Sequence, residues 1–281
     1  MRFGYGTNGF DGHRLEDAVT VLAGLGYDGL ALTLDHAHLD PFAPGLARRT
    51  ARLADRLGSL GLAVVVETGA RYLLDPFRKH EPTLLTERRD LRVSFLRTAV
   101  DVAADLGAEA VSFWSGTVPA GLPEAVAWDR LVAGCAEVTE YAARRGVPLG
   151  FEPEPGMLVD TLGGYERLRA RLGGPAGFGL TLDLGHCRCV EPEPVPDCVR
   201  RAAPWLVHVQ IDDMRRGVHE HLPLGDGEID FPPVLAALAE VGYGGLVSVE
   251  LPRHSHAAPE LARRSLDFLR AAAPAREELF A

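Results

Sequence analysis

The sequence predicts a single (β/α)8 TIM barrel over residues 1–281. Three observations carry that expectation. Short apolar runs alternate from end to end with amphipathic stretches of helical length. Eight such pairs fill the chain, the count of a closed α/β barrel. No linker or low-complexity segment interrupts them. The rival, a doubly wound open sheet, usually carries a glycine-rich phosphate loop after its first strand. GYGTNG is not read as that loop here, and no G-x-x-x-x-G-K-[ST] occurs.

The predicted strands are Arg2–Gly6, Gly29–Leu34, Ala63–Glu67, Ala108–Trp114, Pro148–Glu152, Phe178–Asp183, Leu206–Ile211 and Leu246–Glu250. Each is short, rich in Val, Leu, Ile or Phe and apolar on both faces, as parallel strands covered by helices are. Between the first two, Leu15, Ala18, Val19, Leu22 and Leu25 form one apolar stripe at helical spacing. GLGYDG closes this helix, GSLGL the second and EVGYGG the seventh, because glycine takes the left-handed C′ conformation cheaply. Asp160 or Thr161 is placed to cap the helix after strand five.

Composition narrows the function. Hydrophobic residues make up 47% and charged residues 24%, with a net charge of −10. That is globular, and a poor footprint for a phosphate-backbone binder, so no nucleic-acid partner is expected. No apolar run reaches the roughly 18 residues that span a bilayer, and the N-terminus lacks a signal-peptide apolar region, so neither membrane nor export is expected. The four cysteines include no C-x-x-C. A chain of this size needs no disulfides, and the cytoplasm is the default compartment. Lysine occurs once, at Lys79, so a lysine-imine aldolase would have a single candidate, in what reads as a loop.

In such barrels the site lies at the C-terminal ends of the strands. Strands five to eight deliver Glu152, Asp183, His208 and Glu250 there. A charged residue at the edge of a buried core is costly unless paired or metal-bound. Two glutamates, an aspartate and an imidazole suit one divalent cation, Mn²⁺, Mg²⁺, Co²⁺ or Zn²⁺. Such a cation polarises a substrate oxygen and acidifies the adjacent C–H. If Glu152 and Glu250 face each other, one removes that proton and the other returns one, giving epimerisation or isomerisation.

At these residues the chain resembles the xylose-isomerase-like TIM barrels, the sugar phosphate isomerase/epimerase group that includes ketohexose 3-epimerases and endonuclease IV. The resemblance is strongest in LGFEPEPGML, LTLDLGHC and LVHVQIDDMRRGVHEHLPLGDGEIDF leading to VSVEL. It implies that Glu152, Asp183, His208 and Glu250 hold the metal, with the two glutamates as the acid/base pair. His186 then matches a substrate-binding histidine, and Arg215 or Arg216 falls near a substrate-binding arginine. His219 and His221 fall where endonuclease IV has metal ligands, and are candidates for a second metal or a phosphate. Glu67 and Trp114 stand where that enzyme has histidines, which argues against a trinuclear zinc centre. Relatives with this fold often pair, so a homo-oligomer is expected.

Glu67, Arg71, Trp114 and Glu154 are further candidates for contact with a small carbohydrate-like substrate. Residues 77–89 read as a charged excursion, a lid or an oligomer contact. Cys187 and Cys189 flank His186, where inert buried thiols are the commoner fate. A metal-dependent isomerase or epimerase on a sugar, sugar phosphate, keto-sugar or cyclitol leads. A lyase or dehydratase, an endonuclease IV-like phosphodiesterase and a non-catalytic metabolite-binding barrel are the alternatives.

Overall fold

In the computed structural model, which describes residues 1–274, the eight apolar runs form eight parallel strands closed into a barrel. The first half comprises β1 (Arg2–Gly6), α1 (Leu15–Leu25), β2 (Gly29–Thr33), α2 (Leu46–Leu60), β3 (Ala63–Glu67), α3 (Arg89–Leu106), β4 (Val111–Phe113) and α4 (Glu124–Arg145). The second half comprises β5 (Leu149–Phe151), α5 (Leu162–Arg171), β6 (Phe178–Asp183), α6 (Leu184–Val190), α7 (Val195–Ala202) and β7 (Leu206–Ile211). It continues through β8 (Asp213–Arg215), β9 (Val218–Leu222), α8 (Phe231–Glu240), β10 (Leu246–Val249) and α9 (Ala258–Ala272). Around the cylinder the order is β1-β10-β7-β6-β5-β4-β3-β2, and β8 and β9 form a separate antiparallel hairpin.

The sequence expectations are met at most boundaries. β4 and β5 are shorter than expected, because each pairs with its neighbours over only part of its apolar run. The hairpin was not foreseen; its segment, VHEHL included, lacks the apolar alternation that marks a strand. Gly4, Gly6 and Gly9 do have the G-x-G-x-x-G spacing, but the first two lie inside β1 and a 3-10 turn follows. They build strand rather than a phosphate loop. Gly26 ends α1 with φ 89°, its N–H donating to the Ala23 and Leu22 carbonyls. Thr161 Oγ1 accepts from the Gly164 N–H at 3.2 Å and caps α5.

The main core lies between sheet and helices, and the α1 stripe joins it through Leu15, Ala18, Val19 and Leu22. A smaller cluster, Val65, Ala110 and Leu246, plugs the inside of the cylinder. Gly150 shows how tight that interior is, since a Cβ there would stand 2.3 Å from Thr181 Oγ1. All four cysteines are buried and unpaired. No helix among the described residues is long and apolar enough to cross a membrane.

Two departures from regularity shape the mouth. Between β6 and β7 the register slips: Leu180 pairs with Leu206 but Thr181 with His208, leaving Val207 as an extra residue. Asp183 then lies opposite Gln210. The other is the excursion between β3 and α3, where Phe77 is 92% exposed. Its base is tied down by Arg92 of α3, buried and donating to the carbonyls of Thr68, His80 and Pro82.

Candidate active site

A cavity of about 500 Å³ opens at the C-terminal ends of the strands. Side-chain direction repeats every two residues along a strand, so each strand offers one inward residue at the level of the mouth. β1 leads to Asn8, β3 ends on Glu67, and β5 is followed by Glu152. β6 ends on Asp183, β7 contributes Gln210, and β10 is followed by Glu250. The last four come from adjacent staves, with Glu152 and Glu250 at the two ends of the arc.

Carboxylate oxygens of Glu152, Asp183 and Glu250 lie within 4.8 Å of one another. Oxygens bound to one cation at about 2.0–2.2 Å are separated by up to roughly 4.4 Å, so a small contraction brings all three onto a common ion. Asp183 Oδ1 accepts the His186 N–H at 2.8 Å, capping α6, while its buried Oδ2 has no hydrogen-bond partner. Burial pushes the carboxyls of Glu152, Asp183 and Glu250 up from their ordinary values, and for the two glutamates repulsion from neighbouring carboxylates adds to it. Crowded, desolvated, incompletely bonded carboxylates are what a cation site presents. The donor set fits a hard divalent ion.

His208 does not belong to this group. It is fully buried, with Nε2 3.1 Å from Ser248 Oγ and Nδ1 unpartnered. It pairs with Thr181, one side-chain layer below Asp183. The expectation had the strand's bounds, Leu206–Ile211, but placed His208 at its mouth end, where the last inward residue is Gln210. Gln210 Nε2 donates to Glu250 Oε2 at 2.6 Å and Glu67 Oε1 at 3.1 Å. Its buried Oε1 has no partner.

The other glutamates are held as firmly. Glu250 Oε1 accepts from Asn8 Nδ2 at 2.9 Å, and Glu67 Oε2 from Thr33 Oγ1 at 2.9 Å. Burial raises Glu67 to about 7 and Glu154 to about 8. Arg71 lines the cavity, its Nη2 2.9 Å from Asp11 Oδ1 and 3.2 Å from the Asn8 carbonyl. Trp114 also lines it, but the Arg92 guanidinium lies 4.8 Å from its ring centroid and His80 packs on its edge. One face of that ring is therefore already used.

A shelf of imidazoles borders the carboxylates. His186 Nδ1 lies 3.1 Å from the Pro153 carbonyl and donates to it, which leaves Nε2 as a bare acceptor. Its ring meets those of His219 and His221 at 4.9 and 5.7 Å, and ring nitrogens of all three lie within 4.8 Å of one another. His221 Nδ1 contacts the buried Asp212 Oδ2, and His219 Nε2 is 3.5 Å from Glu154 Oε1. Burial lowers all three, His219 to about 4. Arg215 is not brought to the cavity: it is exposed on the hairpin and donates to the Asp226 carbonyl at 3.1 Å. Arg216 likewise turns outward, to Glu191. The buried thiol of Cys187 is pushed well up, chiefly by its hydrogen bond with Cys198 and by burial, and it lies outside every ligand cluster.

Sequence reasoning missed Asn8, Gln210, Lys79 and Arg253, all of which line the cavity. Counting inward positions along β1 and β7 finds the first two. The last two sit on loops, where no periodicity exists to find them.

Comparison with known proteins agrees with this architecture. Residues 19–272 match the family described as xylose isomerase-like TIM barrel. An L-ribulose 3-epimerase of Mesorhizobium japonicum is 29% identical over 77% of this chain and 70% of its own. An inosose dehydratase of Geobacillus kaustophilus is 27% identical over 50% of this chain and 53% of its own. The chain spans between 45% and 70% of the length of the first curated relatives it matches. Among solved structures, an L-ribulose 3-epimerase superposes with a TM-score of 0.77 at 22% identity, covering 96% of this chain and 94% of that one. With a closed eight-stranded barrel and a family match over most of its length, this chain belongs to the xylose isomerase-like TIM barrels.

Proposed function

We propose that this protein is a divalent-metal-dependent epimerase or isomerase acting on a keto-sugar, sugar or cyclitol. The observation that carries the reading is the arc of Glu152, Asp183, Gln210 and Glu250 on adjacent strands, with three carboxylates close enough to share an ion. Glu152, Asp183 and Glu250 would hold the cation, and the unpartnered Gln210 Oε1 supplies a fourth, neutral oxygen. When bound, the ion supplies Lewis-acid polarisation of a substrate carbonyl or hydroxyl.

The chain's own residues do the rest. Glu152 and Glu250, at opposite ends of the arc, flank a substrate carbon. One takes the proton and the other returns one on the opposite face or to the neighbouring carbon. Gln210 and Asn8 donate to Glu250 and fix its two oxygens, so its orientation is set before substrate arrives. Held by Glu152 and Glu250, the cation would replace like-charge repulsion with attraction and favour the ionised form of both glutamates. Glu67, Arg71 and Glu154 supply hydrogen-bonding groups for a polyol, and one face of Trp114 an apolar surface for its C–H bonds.

The histidine shelf supports a narrower assignment. His186, His219 and His221 contact substrate or hold a second ion, and metal stoichiometry separates these roles. The direct test is incubation of the Mn²⁺-loaded protein with ketoses and inososes in D2O. Deuterium at the carbon beside the carbonyl, with a product of unchanged formula, is the expected result. Loss of water from the product would make it a dehydratase instead. No exchange into any probe would overturn the reading.

A further inference from the structure

The cavity is electrically two-sided. Its floor carries Glu67, Glu152, Glu154 and Glu250, while Arg71, Lys79 and Arg253 are the cations of its wall. Arg71 is committed to Asp11. Lys79 and Arg253 are not committed: both are exposed, and among the described residues neither has a carboxylate within 4.0 Å. The contrast with the adjacent residue is sharp, because Arg78 holds Asp75 at 2.9 Å.

These two cations come from different loops, Lys79 from the excursion after β3 and Arg253 from the segment after β10. Both line the same cavity, together with His219 and His221, and both are exposed. The only lysine of a chain that otherwise uses arginine thus stands at the mouth, on a protein of net charge −10. A neutral sugar would take hydrogen bonds from them but leave both charges uncompensated. An ammonium is a compact point charge and a guanidinium a planar donor fork, and both are suited to phosphate or carboxylate oxygens. A cavity of about 500 Å³ has room for a five- or six-carbon ketose with such a group attached.

We propose that Lys79 and Arg253 form an anion-binding rim, so that the substrate carries a phosphate or carboxylate at the end that lies at the exposed mouth of the cavity. This rests on the cavity being the substrate site of the reaction proposed above. It assigns that substrate a class: an anionic keto-sugar rather than a free ketose.

The test is calorimetric titration of the Mn²⁺-loaded protein with D-ribulose, D-ribulose 5-phosphate and 5-keto-D-gluconate, whose carboxylate lies at the end away from its ketone, at fixed ionic strength. The titrations are repeated on the Lys79→Gln, Arg253→Gln double variant. Both side chains are exposed, so a melting curve matching the parent's will certify its fold. At least one anionic probe should bind the parent about tenfold or more tighter than D-ribulose, the scale of charge-assisted hydrogen bonds. That ratio should fall close to one in the double variant. Whichever anion shows the larger loss names the group. Equal affinity for all three probes, or a preference that survives the double substitution, overturns the proposal. Solvent-deuterium exchange, followed in the same samples, separates the two readings. Anion preference without exchange leaves the rim standing and counts against the epimerase, while exchange without preference does the reverse.

Discussion

The two halves of the barrel mouth contribute different things. β5, β6, β7 and β10 bring Glu152, Asp183, Gln210 and Glu250, the residues able to share an ion. β1, β2 and β3 bring Asn8, Thr33 and Glu67, which hydrogen-bond to that arc or to one another. One half presents charge and the other orients it. An oriented carboxylate needs both, because burial alone pushes a glutamate towards its neutral form. The long excursion belongs to the orienting half, and with Arg71 and Lys79 it gives that half its own wall of the cavity.

Substitutions in the two halves should therefore fail differently. The largest effect is expected from Glu250→Gln or Glu152→Gln, which remove one of the proposed proton-transferring pair. Turnover should fall by about 10²–10⁴, with loss of deuterium exchange. Turnover near the parent's in either variant would erase the distinction between the halves.

Cation removal comes next. A ligand at about 100 times its Kd stabilises the folded state by about 2.7 kcal/mol. For a chain of this size that is a drop in Tm of roughly 5–10 °C on chelation. The pH dependence has a definite sign. Glu67 near 7 and Glu154 near 8 hold protons in the folded, cation-free protein that the unfolded chain has already released. Stability of the cation-free protein should therefore fall as pH rises from 6.5 to 8. His80 and His219, lowered to about 4, work in the opposite direction, but only below about 6.5. Under the proposed site a bound cation would favour the ionised form of the neighbouring Glu67 and Glu154, so the Tm gain from Mn²⁺ should be larger at pH 8 than at pH 6.5. A gain that shrinks with pH would contradict the carboxylate floor.

Gln210→Ala and His208→Ala sharpen the comparison within one strand. Loss of Gln210 should weaken Mn²⁺ binding by about 10–100-fold. Loss of His208 should leave Mn²⁺ affinity near the parent's and cost stability instead, because it empties a buried site. Asn8→Ala, in the orienting half, should lower turnover with a smaller change in metal affinity. The smallest effect is expected far from the mouth: Thr161→Ala removes the α5 cap, costs about 1 kcal/mol and leaves kcat unchanged.

The barrel was legible because eight apolar runs and their glycine-ended helices repeat one pattern, and Glu152, Asp183 and Glu250 each follow such a run directly. Gln210 was obscured for a local reason. His208 directly follows the apolar pair Leu206–Val207 and is the more conspicuous ligand type, whereas the height of each residue depends on the register slip between β6 and β7, which leaves no mark in the sequence. The hairpin carrying His219 and His221 was read as loop, yet its histidines still reach the site. Arg215 lies one turn of chain away on that hairpin and faces outward, a direction set by the two-strand pairing rather than by sequence spacing. Lys79 and Arg253 owe their positions to tertiary packing of loops, which leaves no periodic trace.

The most direct measurement is anomalous diffraction from crystals of the Mn²⁺-loaded protein. A single strong peak about 2.2 Å from carboxylate oxygens of Glu152, Asp183 and Glu250, with Gln210 Oε1 adjacent, is the result the account requires. A peak confined to His186, His219 and His221, or none at saturating Mn²⁺, would contradict it.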